Sequence, residues 1–228
     1  MGDAHLQVKN LIFHQDPSVF KIGTDSLLLA KFLNAKGANH AMDLGTGTGV
    51  LSILLAKAQK HTQVTAIDIS SQAISLAKEN IEANKLSQQI VPQKMDIRHL
   101  RDHFPANSFD FVMTNPPYFP QHAGKRAQGA VGDAREEALC TLSDICKGAA
   151  YLLRYGGNFA LVHRPQRLAE ICSTMSLHGI EPKRIAFALK DPLKPPSLVF
   201  IEGKRGAKPG LLFEAPFLLD GKGMVTSF

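Results

Sequence analysis

The chain has 228 residues, 44% of them hydrophobic, and carries a formal net charge of +6. These values predict one soluble globular domain, and no apolar run approaches the ~18 residues of a membrane-spanning helix. Residues 1–118 hold 11 basic and 10 acidic side chains, whereas residues 119–228 hold 15 and 10, so the basic excess lies in the second half. Such a half suits a polyanionic partner, or is simply a solvated basic surface.

The N-terminal segment and the cysteines indicate a cytoplasmic protein. The opening MGDAHLQVKN lacks the pattern of a secretory signal. Cys140, Cys146 and Cys172 form no CxxC pair and are expected to be reduced, with a catalytic cysteine as the alternative. His99 and His103 are four residues apart without a third ligand nearby, so no metal site is predicted.

Strands and helices alternate along most of the chain. An irregular N-terminal arm precedes a helix over 24–37, for which Thr24 or Asp25 is the expected N-cap and Gly37 the stop. The later predicted elements are strand 40–45, helix 49–59, strand 63–69, helix 70–85 capped by Ser70, strands 89–96 and 109–115, helix 136–157, strand 158–164, a helix to about residue 177, and strands near 184–189 and 197–203.

This alternation predicts an α/β fold with a doubly wound, mostly parallel sheet covered by helices on both faces. The whole chain is predicted to be a single domain, with an arm and helix over 1–39, a core over 40–205 and a tail over 206–228. In such sheets a ligand binds outside the carboxyl ends of the strands, where strand order reverses.

A glycine-rich turn follows the first predicted strand of the core. The sequence DLGTGTG places Asp43 before Gly45, Gly47 and Gly49, and glycine lets a ligand approach the backbone at a helix N-terminus. The GxGxG spacing differs from the GxGxxG of dinucleotide sites, and such turns are common. A carboxylate at Asp43 would repel a pyrophosphate but would attract an ammonium or sulfonium group.

Two further acids end the next two strands. Asp68 is suited to the two hydroxyls of a ribose, and Asp96 to an exocyclic amine. Each acid alone is as readily an N-cap or a surface carboxylate. Three acids at successive strand ends beside a glycine turn predict a pocket for a nucleoside with a cationic tail, which fits S-adenosylmethionine better than NAD.

These segments resemble class I S-adenosylmethionine-dependent methyltransferases over roughly residues 20 to 205. The resemblance rests on MDLGTGTGVLSILLA, TAIDIS, KMDI and FDFVMTNPPYF. It implies a Rossmann-like fold in which the glycines pass the methionine part of the cofactor and Asp68 holds the ribose. It further implies that Asp96 contacts the adenine amine, that Ile69 and Ile97 flank the ring, and that Asn115 borders the cofactor.

The NPPY motif, residues Asn115, Pro116, Pro117 and Tyr118, follows the fourth strand of the core. Two prolines fix two φ angles, so the segment is a stiff corner, although Asn-Pro is also an ordinary turn former. In similar methyltransferases the motif marks transfer to a planar nitrogen. The Asn115 oxygen and Pro116 carbonyl would accept hydrogen bonds from that amine, and Tyr118, with Phe119, would stack on its ring.

The segments FKIGTDSLLLAKFL, NPPYF, AREEALCTLSDICKGAAYLLRYGG and HRPQRLAEICSTMSLHGIEPKR resemble a narrower family. This is the family of adenine-N6 methyltransferases that modify the adenosine beside the anticodon, at position 37, of a valine tRNA, and in particular its Gram-positive-type branch. The resemblance implies tRNA as partner, with a chain that is a monomer or homodimer. Candidate phosphate contacts are Lys125, Arg126, Arg135, Arg164, Arg167, Lys183, Arg184, Lys204 and Arg205.

Other targets stay open. The same grip would suit a ribosomal-RNA base or a release-factor glutamine, although methyltransferases of release factors usually carry a longer helical region before the glycine turn. DNA adenine methyltransferases usually bring a separate target-recognition domain, for which little sequence is left after NPPY. A binding module without chemistry is disfavoured because it would not need the Asn-Pro-Pro-Tyr corner.

Overall fold

A computed structural model describes residues 6–8, 11–14, 23–117 and 140–219. The first half of the chain begins with a two-stranded antiparallel ribbon, which we call the N-terminal ribbon. Its strands are β1 (Leu6–Val8) and β2 (Leu11–Phe13). The elements that follow are α1 (Thr24–Phe32), β3 (His40–Leu44), α2 (Val50–Ala58), β4 (Gln63–Asp68), α3 (Ser71–Ala83) and β5 (Ile90–Lys94).

The second half continues the alternation. A 3₁₀ turn (Ile97–His99) leads into the short α4 (Leu100–His103), and a second 3₁₀ turn (Pro165–Arg167) leads into α6. The other elements are β6 (Phe109–Thr114), α5 (Leu142–Leu152), β7 (Leu153–His163), α6 (Leu168–Leu177), β8 (Ile180–Leu189), β9 (Leu198–Arg205), β10 (Leu212–Phe213) and β11 (Phe217–Leu218).

Nine strands of the described chain form one sheet, in the order β10-β8-β9-β7-β6-β3-β4-β5, with β11 also paired to β8. The pairs β3–β4, β4–β5, β3–β6 and β6–β7 are parallel, whereas β9 runs antiparallel to β7 and β8. The predicted doubly wound, mostly parallel sheet is therefore confirmed. The chain builds outward from β3 to β5 and then returns to β6 on the other side, so strand order reverses between β3 and β6.

Helices cover both faces of the sheet, because successive strand residues point to opposite sides. In β6, Phe111 and Met113 pack on the face that carries α1, α2 and α3, whereas Val112 packs on the face that carries α4, α5 and α6. These strands read as continuous apolar runs in the sequence since neither face meets water. Each helix turns an apolar stripe inward, as with Leu28 and Leu29 of α1, and this burial is the main stabilising term.

Several predicted helix boundaries were wrong. α1 ends at Phe32, well before Gly37, and its N-cap is Gly23 without a side-chain cap, rather than Thr24 or Asp25. The helix predicted over 136–157 begins at Leu142, although residues 136–139 lie outside the described residues. A capping box fixes this start: the Thr141 side chain accepts from the Asp144 N–H, while the Asp144 carboxylate accepts from the Thr141 N–H.

The glycines near 156 do not end a helix, because β7 begins directly at Leu153. The pairing of β6 with β7 shifts register between Phe109 and Phe111, which marks a bulge. A Cβ on Gly157 would lie 3.0 Å from the carbonyl oxygens of both Arg154 and Asp110. Glycine is therefore required here because two backbone segments approach closely within the sheet. The sequence prediction, in which this glycine only ends a helix, did not include that role.

The two ends of the chain contain strands that the sequence pattern did not indicate. The arm predicted to be irregular contains the N-terminal ribbon, and the predicted tail contributes β10 and β11, which pair in parallel with β8. In the part of the chain that the structure describes, no helix combines the length and the apolar character needed to cross a bilayer.

Candidate cofactor and target site

The glycine turn joins β3 to α2 at the carboxyl edge, our name for the edge of the sheet where β3, β4, β5, β6 and β7 end. Gly45, Gly47 and Gly49 have φ angles of +71°, +55° and +82°. A Cβ on Gly45 or Gly47 would meet no described atom within 4 Å, so both backbones face open space. A Cβ on Gly49 would lie 3.3 Å from the Cβ of Ala77 in α3. Gly45 and Gly47 thus leave room for a ligand, whereas Gly49 permits close helix packing.

Asp43 is a buried acid of β3 whose two carboxylate oxygens differ in their surroundings. Its Oδ2 accepts hydrogen bonds from the hydroxyls of Thr46 and Ser52, both at 2.7 Å. Its Oδ1 is also buried and finds no donor among the described residues. Burial raises the pKa of Asp43 to about 6, and the two hydroxyl bonds oppose that rise. A cation held against the glycine turn would relieve this buried charge, which fits a cofactor with an ammonium group.

Asp68 ends β4 and ties two parts of the edge together. Its Oδ2 accepts from the Gly47 N–H at 2.8 Å, and its Oδ1 accepts from the Ser70 N–H at 2.9 Å. Burial raises the pKa of the Asp68 carboxyl, and these backbone hydrogen bonds oppose the rise. Each carboxylate oxygen has a second lone pair, so Asp68 can orient the glycine turn and still accept from ribose hydroxyls.

A cavity of about 290 Å³ opens beside β5 and is lined by Ile69, Lys94, Met95, Asp96 and Arg98. Its volume suits a flat ring system, near the lower end of the usual range for small-molecule sites. The structure thus brings the predicted Asp96 and Ile69 together at one cavity. The predicted Ile97 does not line it: its side chain packs instead toward Gly148, with Cγ2 3.4 Å from where a Gly148 Cβ would lie.

Arg98 is a residue of this cavity that the sequence analysis missed. Its guanidinium forms a two-pronged ion pair with Asp96, and its backbone N–H donates to Asp96 Oδ1 at 2.9 Å. The hydrogen bond with Arg98 lowers the pKa of Asp96, which keeps this carboxylate ionised and oriented at the cavity mouth.

Asn115 leaves the sheet beside the glycine turn. Leu44 of β3 pairs with Thr114 of β6, and the Thr114 hydroxyl donates to the Leu44 carbonyl at 2.7 Å. The residues that follow, Gly45 and Asn115, therefore emerge side by side at the point where strand order reverses. The Asn115 Nδ2 donates to the hydroxyl of Ser26 in α1 at 2.9 Å. Pro116 is buried and Pro117 exposed, so one proline anchors the corner and the other faces outward.

Five predicted target-side residues lie outside the described residues and stay predictions: Tyr118, Phe119, Lys125, Arg126 and Arg135. Of the predicted phosphate contacts that are described, Arg164 and Arg167 follow β7 at the carboxyl edge. Arg167 is engaged there by Glu170 in a two-pronged ion pair, with its Nε 2.8 Å from Oε2.

The other predicted phosphate contacts lie away from this edge. Lys204 of β9 is opposite Asn158 of β7, which in turn is opposite Phe111 of β6, so Lys204 lies away from the carboxyl ends of the parallel strands. Arg205 lies one residue further toward their amino ends. The Arg205 guanidinium donates to the Asn107 side chain and the Leu153 carbonyl, which keeps it on the protein surface.

Lys183 and Arg184 are also engaged within the protein. The Lys183 Nζ donates to the Lys208 carbonyl at 3.1 Å. The Arg184 Nη1 lies 3.0 Å from Oε1 of Glu202, and its Nε lies 2.5 Å from Oε1 of Glu214. The described cations therefore do not gather on one surface.

Two buried asparagines, Asn80 inside α3 and Asn84 at its C-cap, connect the site to the N-terminal ribbon and to His14, and neither is among the residues predicted from the sequence. Asn84 accepts from the Ile12 N–H at 3.1 Å and donates to the Ile12 carbonyl at 2.6 Å. Asn80 accepts from the His14 N–H at 2.6 Å and donates to the His14 carbonyl at 3.2 Å. Its Nδ2 also donates to the Thr48 carbonyl in the glycine turn at 3.0 Å. Asparagine is unfavourable inside a helix, so Asn80 was a signal of such a contact, whereas Asn84 at the C-cap was not.

Two of the three cysteines do not supply a nucleophile at neutral pH, and burial also raises the pKa of the third, Cys172. Burial raises the pKa of Cys140 to about 11 and that of Cys146 to about 12, so both stay protonated.

Comparison with known proteins identifies the family to which the chain belongs. The profile of the family described as "Methyltransferase small domain" matches residues 10–176. A protein named tRNA1(Val) (adenine(37)-N6)-methyltransferase, from Tolumonas auensis, is 33% identical over 163 residues, which cover 71% of this chain and 67% of that protein. A protein of the same name from Parabacteroides distasonis is 29% identical over 205 residues, covering 89% and 84%.

A solved structure supports the fold independently. A protein from Agrobacterium tumefaciens, described as a predicted O-methyltransferase, superposes with a TM-score of 0.71 at 21% identity, covering 90% of this chain and 92% of that one. At such identity the likeness concerns the fold alone. The family match spans well over half of the sequence and includes the glycine turn, all three strand-end acids and Asn115, so the chain belongs to the methyltransferase small domain family.

Proposed function

We propose that this enzyme transfers a methyl group from S-adenosylmethionine to the exocyclic N6 of an adenosine in tRNA, at position 37 beside the anticodon of a valine tRNA. The observation that carries the proposal is the emergence of Asn115 beside Gly45 across the β3–β6 pair. Asn115, whose side-chain amide would accept from a planar amine, thus lies next to the turn that would receive the cofactor. The relatives that carry this activity in their names support the choice of target.

The cofactor side is supplied by residues whose surroundings fit S-adenosylmethionine. When bound, this cofactor provides an electrophilic methyl group on a positively charged sulfur. The open backbones of Gly45 and Gly47 would receive its methionine part, and the buried charge of Asp43 would favour its cationic groups. Asp68 would accept from the ribose hydroxyls. Asp96, held by Arg98, would accept from the adenine amine in the cavity that Ile69 lines.

The target side depends on orientation more than on acid–base chemistry. The lone pair of an adenine N6 is delocalised into the ring, so this nitrogen is a weak nucleophile. Because the Asn115 Nδ2 is directed at Ser26, its Oδ1 and the Pro116 carbonyl would accept from the two amine hydrogens. Positive charge grows on the nitrogen during transfer, and two carbonyl oxygens fixed beside it would stabilise that charge.

The target base must be accessible to reach this edge. A base inside a stacked helix would have to be flipped out, whereas a base in an anticodon loop needs less unpairing. The cations Arg164 and Arg167 at the carboxyl edge, with Lys125, Arg126 and Arg135, would contact phosphates around the loop. A tRNA target would place the enzyme in the cytoplasm.

The enzyme would act as a monomer or a homodimer, and light scattering of the purified protein distinguishes the two.

The first experiment offers radiolabelled S-adenosylmethionine with total tRNA, ribosomal RNA and a release-factor protein in separate reactions. We expect label in tRNA, recovered as N6-methyladenosine after digestion, and lost from a valine tRNA transcript with guanosine at position 37. Label in protein alone, or in ribosomal RNA alone, would show that the target is wrong. Asn115→Ala should lower kcat by about 10²-fold or more while cofactor affinity stays within about twofold; equal loss of both would make Asn115 structural.

A further inference from the structure

We propose that Ser26 is a positioning residue for methyl transfer, which acts by holding the Asn115 side-chain amide with its oxygen toward the target amine. This inference rests on the proposed function. Ser26 belongs to α1 and lies outside the Asn-Pro-Pro-Tyr corner, 89 positions before Asn115 in the sequence.

The contact between the two side chains carries the proposal. A side-chain amide has nearly the same shape in either of two orientations, which differ in whether the oxygen or the nitrogen faces a given side. In this structure the Asn115 Nδ2 donates to the Ser26 hydroxyl at 2.9 Å, in a part-buried position. The Asn115 oxygen is thereby turned to the other side.

The reversed orientation would oppose the reaction. In that orientation the NH₂ group of Asn115 would point at the NH₂ group of the target. Both groups are hydrogen-bond donors, so no hydrogen bond could form between them. A serine hydroxyl can either accept or donate, so the bound target amine selects the productive orientation and Ser26 stabilises it. Without the hydroxyl, the part-buried Nδ2 loses this acceptor, so the orientation that the target selects is no longer stabilised by the Ser26 hydrogen bond.

Ser26 is able to fix Asn115 because the far end of α1 is itself tied to the sheet. The Arg184 Nη2 donates to the Phe32 carbonyl at 3.2 Å, and its guanidinium lies 4.6 Å from the centroid of the Phe32 ring. Arg184 is paired with the buried Glu202, whose Oε2 accepts from the Asn34 N–H at 3.3 Å. A cation at a helix C-terminus also opposes the helix dipole favourably. This ion pair, in which Glu202 is buried and Arg184 is half-buried, therefore anchors the helix that presents Ser26.

The test compares four full-length proteins: wild type, Ser26→Ala, Ser26→Thr and Ser143→Ala. Ser143 is a matched control, because it lies in the first turn of α5 and its exposed hydroxyl contacts His178 instead of the site. For Ser26→Ala we expect kcat to fall roughly threefold to tenfold, the value of one hydrogen bond, with cofactor affinity within twofold. Ser26→Thr, which keeps the hydroxyl, should recover most of kcat, and Ser143→Ala should match wild type.

A double variant separates positioning from general support of the fold. If Ser26 acts through Asn115, then Ser26→Ala should cost nothing further in an Asn115→Ala background, so the two effects are not additive. Unchanged kcat in Ser26→Ala would overturn the proposal. So would a parallel loss of kcat, cofactor affinity and thermal stability, or a full additional loss in the double variant.

The two proposals fail in different ways. Label in a release-factor protein instead of tRNA would overturn the proposed function, and the same variants assayed on that protein would still decide the role of Ser26. The side-chain amide signal of Asn115 in ¹⁵N-labelled protein provides a readout without any substrate. We expect it to shift in Ser26→Ala and to stay in place in Ser143→Ala, and an unmoved signal in Ser26→Ala would overturn the contact.

Discussion

Asp43→Asn should make the folded protein less sensitive to pH. Burial raises the pKa of Asp43 to about 6, whereas the same carboxyl in the unfolded chain has the ordinary value of 3.8. The folded state thus binds this proton more tightly. The favourable contribution is complete below pH 3.8 and is lost as the pH rises to about 6, so at neutral pH the folded protein bears the whole cost of the buried charge.

The magnitude follows from these two values. At about 1.36 kcal/mol per pH unit, the interval from 3.8 to about 6 corresponds to about 3 kcal/mol, of which about 2 kcal/mol falls between pH 4.5 and 7.5. Asparagine cannot ionise, and its oxygen can keep the hydrogen bonds from Thr46 and Ser52. Its NH₂ group would replace Oδ1, for which no donor exists among the described residues, and burying this group costs about 1–3 kcal/mol at every pH. The pH dependence is therefore a cleaner readout than the stability at one pH.

The assay is urea denaturation of wild type and Asp43→Asn followed by far-ultraviolet circular dichroism from pH 4.5 to 7.5. The difference in free energy of unfolding should move by about 2 kcal/mol in favour of the variant as the pH rises. Cofactor affinity should fall by about tenfold, because a charge beside the glycine turn is lost. A difference that stays constant with pH would refute the argument, since it would mean that the Asp43 carboxyl titrates normally despite its burial.

Three further predictions concern the site and its supports. Gly49→Ala should lower the free energy of unfolding by about 2 kcal/mol or more, because a positive φ is combined with a tight contact. Gly47→Ala should lower it by about 1 kcal/mol through its positive φ alone, and should also weaken cofactor binding in calorimetry. Asn80→Ala should lower the free energy of unfolding by about 3 kcal/mol and speed amide hydrogen exchange at His14 and in the adjoining N-terminal ribbon. Unchanged exchange would mean that the hydrogen bonds between Asn80 and His14 do not form in solution. Arg184→Ala should cost about 3 kcal/mol of stability by leaving a buried carboxylate unpaired, whereas Lys204→Ala should cost almost none; equal costs would mean that the ion pair is not buried in solution.

The sequence was sufficient to predict which residues share the carboxyl edge, because the order of strands along the chain determines it. Parallel strands end at one edge, so the acids at successive strand ends and the glycine turn had to converge once the strands were identified. Asp68 and Asp96 lie where that reasoning expects them, although each is already engaged, by the Gly47 and Ser70 N–H groups and by Arg98 respectively. Their roles toward the cofactor stay predictions.

The contacts that the sequence did not reveal join residues far apart in the chain. Asn115 finds Ser26, and Asn80 finds His14, through the packing of separate elements, which no local periodicity encodes. Arg184 illustrates the same difficulty for charge. Its sequence neighbours are compatible with a surface phosphate contact, yet its partner Glu202 lies on the next strand and is buried.

The two short strands β10 and β11 have a consequence for solubility. Both pair in parallel with β8, on the side opposite β9. Without them, β8 would present a row of unpaired N–H and C=O groups over its ten residues, a ready template for pairing with another chain. Residues 212–218 thus protect this edge of the sheet from pairing with a second chain. A chain that ends after Arg205 should still fold its carboxyl edge but should associate through β8.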